Sequence, residues 1–314
     1  MQSAYRMNGR RQGGSIWGCL AFLISVVFLF LLATPASATT LDRVKAAGKL
    51  VLGYRTDARP FSFGDGTAPP MGYSIALCEK VVDEVKAELN MPQLAVEWVP
   101  VTADERFEAI SQGKIDLLCG SATVTLERRK LVSFSIPIDP AGIAAMLNAS
   151  SPTALQDVLM GRPPSGPIWR GSPAQVLENK TFSVVNGTTA ETWLADRIND
   201  FQLTATVVPV DSYEAGLQSV LNGTSHVFFG DRPILAEVAS AGGHASDVVI
   251  LGRLFTSEPI ALAMARNDDD FRLIVDRTLS RTYKTKEFRD LYTKWFGEPD
   301  EGVITFFRQA ALPE

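Results

Sequence analysis

Residues 118–135 read LCGSATVTLERRKLVSFS. Ser121, Thr123 and Thr125 bring hydroxyls to the end of an apolar run, and Arg128 and Arg129 come directly after. A guanidinium matches a carboxylate with two parallel hydrogen bonds, and hydroxyls add further donors, so the stretch suits a small anion. It equally suits a solvated helix start, where Ser and Thr are ordinary caps. Successive side chains on a helix point about 100° apart, so only one of the two arginines is expected to face a cleft. A second stretch, Asn186-Gly187-Thr188-Thr189, repeats the design after the apolar run 182–185. Each reads as a strand running through Gly into a helix N-terminus, where unpaired N–H groups and the positive dipole end attract carboxylate or phosphate. Asp231 ends a third apolar run, 226–229, and offers an acceptor for an ammonium. It would serve as well to cap a helix starting at Pro233. A carboxylate socket facing an ammonium acceptor describes an α-amino acid.

The elements that must hold these groups emerge from periodicity. Short β-branched and apolar runs at 50–54, 94–99 and 115–119 alternate with helical spacing at 74–89, where Cys78, Val81, Val82, Val85 and Leu89 share a face. Thr102 and Glu105 form a capping-box pair before a helix that stops at Gly113. The same alternation recurs with strands at 182–185, 206–210, 226–229 and 248–251 and a helix at 212–221. Helices at 271–283 and 286–296 close the chain. Alternating strands and helices predict an α/β fold with parallel crossovers, here in two copies. Ligands in such folds bind outside the carboxyl ends of the strands, so two lobes predict a cleft between them. The stretch 161–173, GRPPSGPIWRGSP, is too rich in Pro and Gly for regular structure and is expected to be a surface loop.

Arg6, Arg10 and Arg11 precede an apolar run at 16–32 and the sequence ATPASA at 33–38, the pattern of a signal peptide cleaved after Ala38. A retained membrane anchor is the alternative, since the run approaches the length of a span. Cleavage leaves 27 basic against 35 acidic residues, a net charge of −8. That balance argues against a nucleic-acid partner. Cys78 and Cys119 remain in an oxidising compartment, as either a disulfide or a buried thiol pair. His226 and His244 are the only histidines, and neither stands at metal-ligand spacing from a Cys or another His. No G-x-S-x-G elbow occurs, and no cofactor is called for.

The run CGSATVTLERRKLVSFS, with Gly72-Tyr73-Ser74 before it and Lys294-Trp295-Phe296 near the end, resembles the periplasmic amino-acid-binding proteins of ABC importers, most of all the glutamate/aspartate-binding branch. The resemblance covers nearly all of residues 40–300 apart from 161–173. It implies a type II two-lobed clamshell, each lobe a mainly parallel sheet flanked by helices, joined by crossing strands near 136–143 and 255–260. Lobe 1 would comprise 39–138 plus 259–314, and lobe 2 would comprise 139–258. The resemblance further implies that Arg128 holds the ligand α-carboxylate with Thr123 and Thr188, and that Ser121 and Asp231 hold the ammonium. Arg55 and Arg106 would reach a side-chain carboxylate, with Phe61 and Phe63 supplying aromatic surface. Arg55 has an ordinary alternative as the partner of Asp57 or Asp104, and Arg106 as a solvated helix residue. Three positions depart from the acidic branch: Ala103 stands for a Ser, Val185 lies near an expected Thr, and Tyr213 stands for a His. The side chain of the amino acid is therefore open among glutamate, aspartate, glutamine and asparagine. The implied protein is a periplasmic monomer that closes on its ligand and delivers it to the membrane subunits of an ABC permease. A dehydratase of the same fold and a sensor domain serving a membrane receptor are the competing functions.

Overall fold

The computed structural model describes residues 39–162 and 173–313. The expected signal peptide at 1–38 and most of the Gly/Pro-rich stretch, with Trp169 and Arg170, lie outside the described residues. No helix among the described residues is long and apolar enough to cross a membrane.

The chain opens with α1 (Thr40–Ala47), β1 (Lys49–Tyr54) and a small hairpin of β2 (Asp57–Ala58) and β3 (Ser62–Phe63). It continues through α2 (Tyr73–Glu88), β4 (Ala95–Pro100), α3 (Arg106–Ser111), β5 (Leu117–Thr123) and β6 (Ser133–Ala141). A second set comes next: β7 (Ile143–Asn148), α4 (Thr153–Met160), β8 (Thr181–Val185), α5 (Thr189–Asp200), β9 (Thr206–Val210), α6 (Tyr213–Leu221), β10 (Val227–Asp231), α7 (Arg232–Ala241) and β11 (Val248–Ile250). The chain then returns through β12 (Glu258–Met264) and ends with α8 (Asp269–Thr282), α9 (Lys286–Phe296) and α10 (Glu301–Ala310).

Two five-stranded sheets result, in the orders β4-β1-β5-β12-β6 and β11-β7-β10-β8-β9. Each is mixed rather than mainly parallel. In the first, β1 runs parallel to β4 and β5, while β12 is antiparallel to β5 and β6. In the second, β8 is parallel to β9 and β10, while β7 is antiparallel to β10 and β11. The strands that enter and leave each sheet supply the antiparallel pairs, and local periodicity does not encode that pairing.

The chain passes between sheets twice, at residues 141–143 and 251–257, close to the expected crossings. The two crossings touch. The Phe255 N–H donates to the Ile143 carbonyl at 2.8 Å, and the Ile143 N–H donates to Thr256 Oγ1 at 2.9 Å. A Cβ on Gly142 would fall 2.2 Å from the Thr256 carbonyl oxygen, so only glycine permits this approach. Helix side chains pin β6 as it leaves the first sheet. The Tyr73 hydroxyl donates to the Ile138 carbonyl at 2.8 Å, and the Tyr283 hydroxyl donates to the Pro137 carbonyl at 2.7 Å. Asp276 accepts from the Ile136 N–H at 2.7 Å.

In α2 the predicted stripe is buried through Cys78, Val81, Val82 and Val85, with Leu89 half-buried at the helix end, and Cys78 is joined to Cys119 of β5 by a disulfide. That resolves the two alternatives the spacing left open. Three helices carried no sequence expectation: α1, α4 and α10. Two of these have clear side-chain caps, Thr39 with Asp42 for α1 and Asp300 for α10.

Candidate ligand-binding site

The first strand end differs from its expected form. Residues 120–123 do not precede a helix; they continue β5, because β12 pairs with them through Ile260 and Ala261. Beyond them lies one 3-10 turn, Arg128–Lys130. Ser121 and Thr123 therefore sit two apart on a buried strand and share a face, instead of lining a helix N-terminus. The turn is set by Thr125, whose Oγ1 accepts the Arg128 N–H at 3.1 Å. It aims Arg128 inward, while Arg129 is exposed. The Arg128 guanidinium donates to the Thr123 carbonyl at 3.0 Å and to the Gly187 carbonyl at 3.1 Å.

Arg106 opens α3, preceded by the expected capping pair, which forms as a turn: the Glu105 N–H donates to Thr102 Oγ1 at 3.2 Å. Its side chain is buried, not solvated, with 2% of its surface exposed. One terminal nitrogen donates to the same Gly187 carbonyl at 3.1 Å. The other, and Nε, are buried without any partner among the described residues. Arg106 and Arg128 both lie over the Phe107 ring, at 4.5 and 5.0 Å from its centroid. Burial, then the neighbouring charges of Arg128 and Arg55, push the Arg106 pKa well below the usual arginine range. Burial also lowers Arg128, against the opposing pull of Asp231 and Glu258. Arg55, equally buried, is tied to Asp57 at 2.6 Å, the ordinary alternative anticipated for it.

The second strand end keeps its expected form, since β8 turns into α5. Gly187 sits at φ +68°, and a Cβ there would lie 2.2 Å from a carboxylate oxygen of Asp104. Only glycine lets this loop of the second sheet press against residues 103–104 of the first. Glu191 accepts the Gly187 N–H at 2.9 Å. Thr188 occupies the cap position of α5, yet its hydroxyl donates back to the Val185 carbonyl at 2.7 Å.

Asp231 stands at the cap position of α7, but its side chain makes no cap bond. One oxygen accepts the Tyr213 hydroxyl at 3.3 Å; the other is buried without a partner among the described residues. Burial, then Glu258, raise its pKa to about 6, with Arg128 and the Tyr213 hydrogen bond holding it lower than burial alone would. Burial and the adjacent Asp231 push the Tyr213 phenol well above its ordinary range.

The structure thus gathers Arg55, Arg106, Arg128, Tyr213 and Asp231 within electrostatic reach of one another, with Thr123 and Thr188 bonded beside them. Phe61 is placed elsewhere. It is fully buried, with its ring packed on Tyr73 and Phe296 in the aromatic core under α9. Phe63 lies under the Arg59 guanidinium and against Trp295. Two contributors carried no sequence expectation. Glu258 opens β12, accepts the Thr189 hydroxyl at 2.6 Å and acts on both Asp231 and Arg128. The Gly187 carbonyl is a backbone acceptor that residue types do not reveal. Glu258 alone left a trace, as the one charge in EPIALAM. Among the described residues no group of His, Cys, Asp or Glu is arranged to hold a metal ion.

Comparison with known proteins agrees with this frame. The model of the bacterial extracellular solute-binding proteins, family 3, matches residues 50–298. The L-glutamate/L-aspartate-binding protein of Pseudomonas aeruginosa is 28% identical over 89% of this chain and 88% of its own length. The glutamate/glutamine/aspartate/asparagine-binding protein of Rhodobacter capsulatus is 29% identical over 81% of this chain and 70% of its own. Among solved structures, the ancestral amino acid-binding protein AncCDT-1, described as a precursor of cyclohexadienyl dehydratase, superposes with a TM-score of 0.66 at 26% identity. It covers 82% of this chain and 100% of its own. These curated relatives are solute-binding proteins rather than enzymes. A match over most of the chain, with two α/β sheets joined by paired crossings and a polar site between them, makes this chain a member of the bacterial extracellular solute-binding proteins, family 3.

Proposed function

We propose that the chain captures an L-amino acid with an acidic or amide side chain between its two sheets, closes on it, and delivers it in the periplasm to the membrane subunits of an ABC permease. One observation carries the reading. Among the described residues, two buried guanidinium nitrogens of Arg106 have no acceptor and one buried carboxylate oxygen of Asp231 has no donor, on opposite sides of the cleft. Each orphaned group costs about 1–3 kcal/mol in the ligand-free protein. An amino acid supplies what is missing: carboxylate oxygens for the guanidinium and an ammonium for Asp231. With Arg55 partly neutralised by Asp57, the site keeps two arginines whose combined charge favours a second carboxylate on the ligand. Tyr213 offers a hydroxyl near the ligand, compatible with an amide. The glutamate- and aspartate-binding relatives support the same class.

Closure is a consequence of differential binding, because a ligand contacting both sheets favours the form in which they approach. The test is a thermal-shift screen against the twenty amino acids, followed by calorimetry. Ligand that binds only the native state raises the midpoint by mass action. Glutamate, aspartate and their amides are expected to give the largest rises. A screen in which no amino acid moves the midpoint would sink the reading, and a preference for basic amino acids would sink the assignment of the arginines.

A further inference from the structure

Away from Arg55, Arg106 and Arg128, the α8–α9 junction, α9 and α10 enclose a concave groove of about 520 Å³. That volume lies in the range of small-molecule sites. The helix that completes it, α10, begins at Glu301, beyond the residues that match the family. Its floor is aromatic. Phe307 packs edge-on against Tyr283, Phe288 and Tyr292, with ring centroids 4.7–5.6 Å apart. The floor is also fixed, since Tyr283 is hydrogen-bonded to the Pro137 carbonyl and Leu312 donates its N–H to Ser280 Oγ at 3.0 Å. Val303 and Ile304 add an aliphatic wall.

The rim carries one sign of charge. Lys284, Arg289 and Arg308 line the groove, and no Asp or Glu does among the described residues. Lys284 and Arg308 have no ion-pair partner among the described residues, and Arg289 has only a loose, exposed contact with Glu298 at 3.9 Å. Three cations around an apolar floor, two without an ion-pair partner among the described residues and one only loosely paired, stand out on a chain of net negative charge. We propose that this groove is a second ligand site, distinct from the amino-acid cleft, that takes a small amphiphilic carboxylate: an aryl or short alkyl body on the aromatic floor and its anion among the three cations. Neither the apolar floor alone nor the cations alone would select such a molecule; a preformed pocket combining them does.

The experiment uses the purified protein and the fluorescent aryl sulfonate 8-anilinonaphthalene-1-sulfonate, displaced by octanoate, octylamine or octanol. Octanoate is expected to displace the probe at concentrations at least about tenfold lower than the amine or the alcohol, as a charge-assisted contact requires. Reversing the exposed rim with Lys284→Glu and Arg308→Glu should weaken octanoate by a similar factor while leaving the thermal midpoint in place. Ile304→Trp, which fills the groove, should abolish the fluorescence gain. Equal displacement by all three compounds, or octanoate binding that survives either variant, overturns the proposal. So does loss of the groove's probe binding on dimerisation, or displacement by an acidic peptide where octanoate fails, because the occupant is then a protein.

Discussion

Replacing Arg106 with Met should change stability and affinity in opposite directions. Met keeps much of the apolar stem and removes the guanidinium. In the ligand-free protein this eliminates two buried nitrogens that have no acceptor among the described residues, at about 1–3 kcal/mol each, and one neighbour that repels Arg128 and Arg55. Against that, the hydrogen bond to Gly187 is lost, worth about 0.5–1.5 kcal/mol, and so is the contact with Phe107, worth about 0.5–2 kcal/mol. At the midpoints of these ranges the balance is a stabilisation of about 2 kcal/mol, or a rise of roughly 4 °C in the midpoint for a chain of this length. On the proposed function the same substitution removes the cation that would meet a ligand carboxylate, so affinity for glutamate should fall by about 2–5 kcal/mol, some thirtyfold to several thousandfold. Calorimetry with glutamate and a melting curve of the ligand-free variant read the two effects separately. A variant that melts lower yet binds glutamate unchanged would refute the reasoning and make Arg106 an ordinary structural residue.

Other perturbations test neighbouring parts of the site. Asp231 must be ionised to accept an ammonium, and its pKa near 6 means that affinity should weaken by up to about tenfold per unit as pH falls below that value; Asp231→Asn should bind weakly and without this dependence. Asp139, buried on β6 and raised to about 8 chiefly by that burial, binds its proton more tightly folded than unfolded, so its contribution to stability is greatest at low pH and declines by up to about 1.4 kcal/mol per unit as pH rises from near 4 to 8. Asp139→Asn should melt higher than the parent by a margin that grows across that window, and a constant margin would exclude titration of this group. Gly187→Ala adds a Cβ at positive φ against Asp104 and should weaken ligand by about tenfold or more while the second sheet remains folded; unchanged affinity would show that the loop need not approach residues 103–104. Reduction of the Cys78–Cys119 disulfide, which spans 41 residues, should cost about 4 kcal/mol on the chain-entropy account, read as a lower urea midpoint.

Local pattern foretells the elements that periodicity can reach. Helix α9 occupies the expected residues 286–296, and α2, α6 and α8 fall within two residues of theirs. The paired design of a strand end leading into a small polar loop points to both sides of the cleft. It misplaces the first side for a definite reason. Whether Gly120-Ser121-Ala122-Thr123 leaves the sheet depends on β12, whose Ile260 and Ala261 lie well over a hundred residues away. No short-range signal reports a partner at that distance.

The same limit governs the chemistry of the site. Residue types alone leave Asp231 balanced between capping α7 and accepting an ammonium. The fold separates backbone from side chain: the backbone occupies the cap position, while the carboxylate turns to Tyr213 and keeps one oxygen unpaired among the described residues. On the proposed function Tyr213 would act through Asp231 as well as directly, because its hydroxyl occupies part of the acceptor that an ammonium would take. That arrangement also accounts for what the departure from the acidic branch does physically. A protonated histidine at this position would add a cation to a cleft already holding Arg55, Arg106 and Arg128. A neutral phenol, its pKa driven up by burial, adds only a hydrogen bond. Arg106 and Arg128 remain without a carboxylate partner among the described residues, and Tyr213 adds no further charge beside them. On the proposed function, a site of that charge would still attract glutamate and aspartate while lowering the cost of seating an uncharged amide.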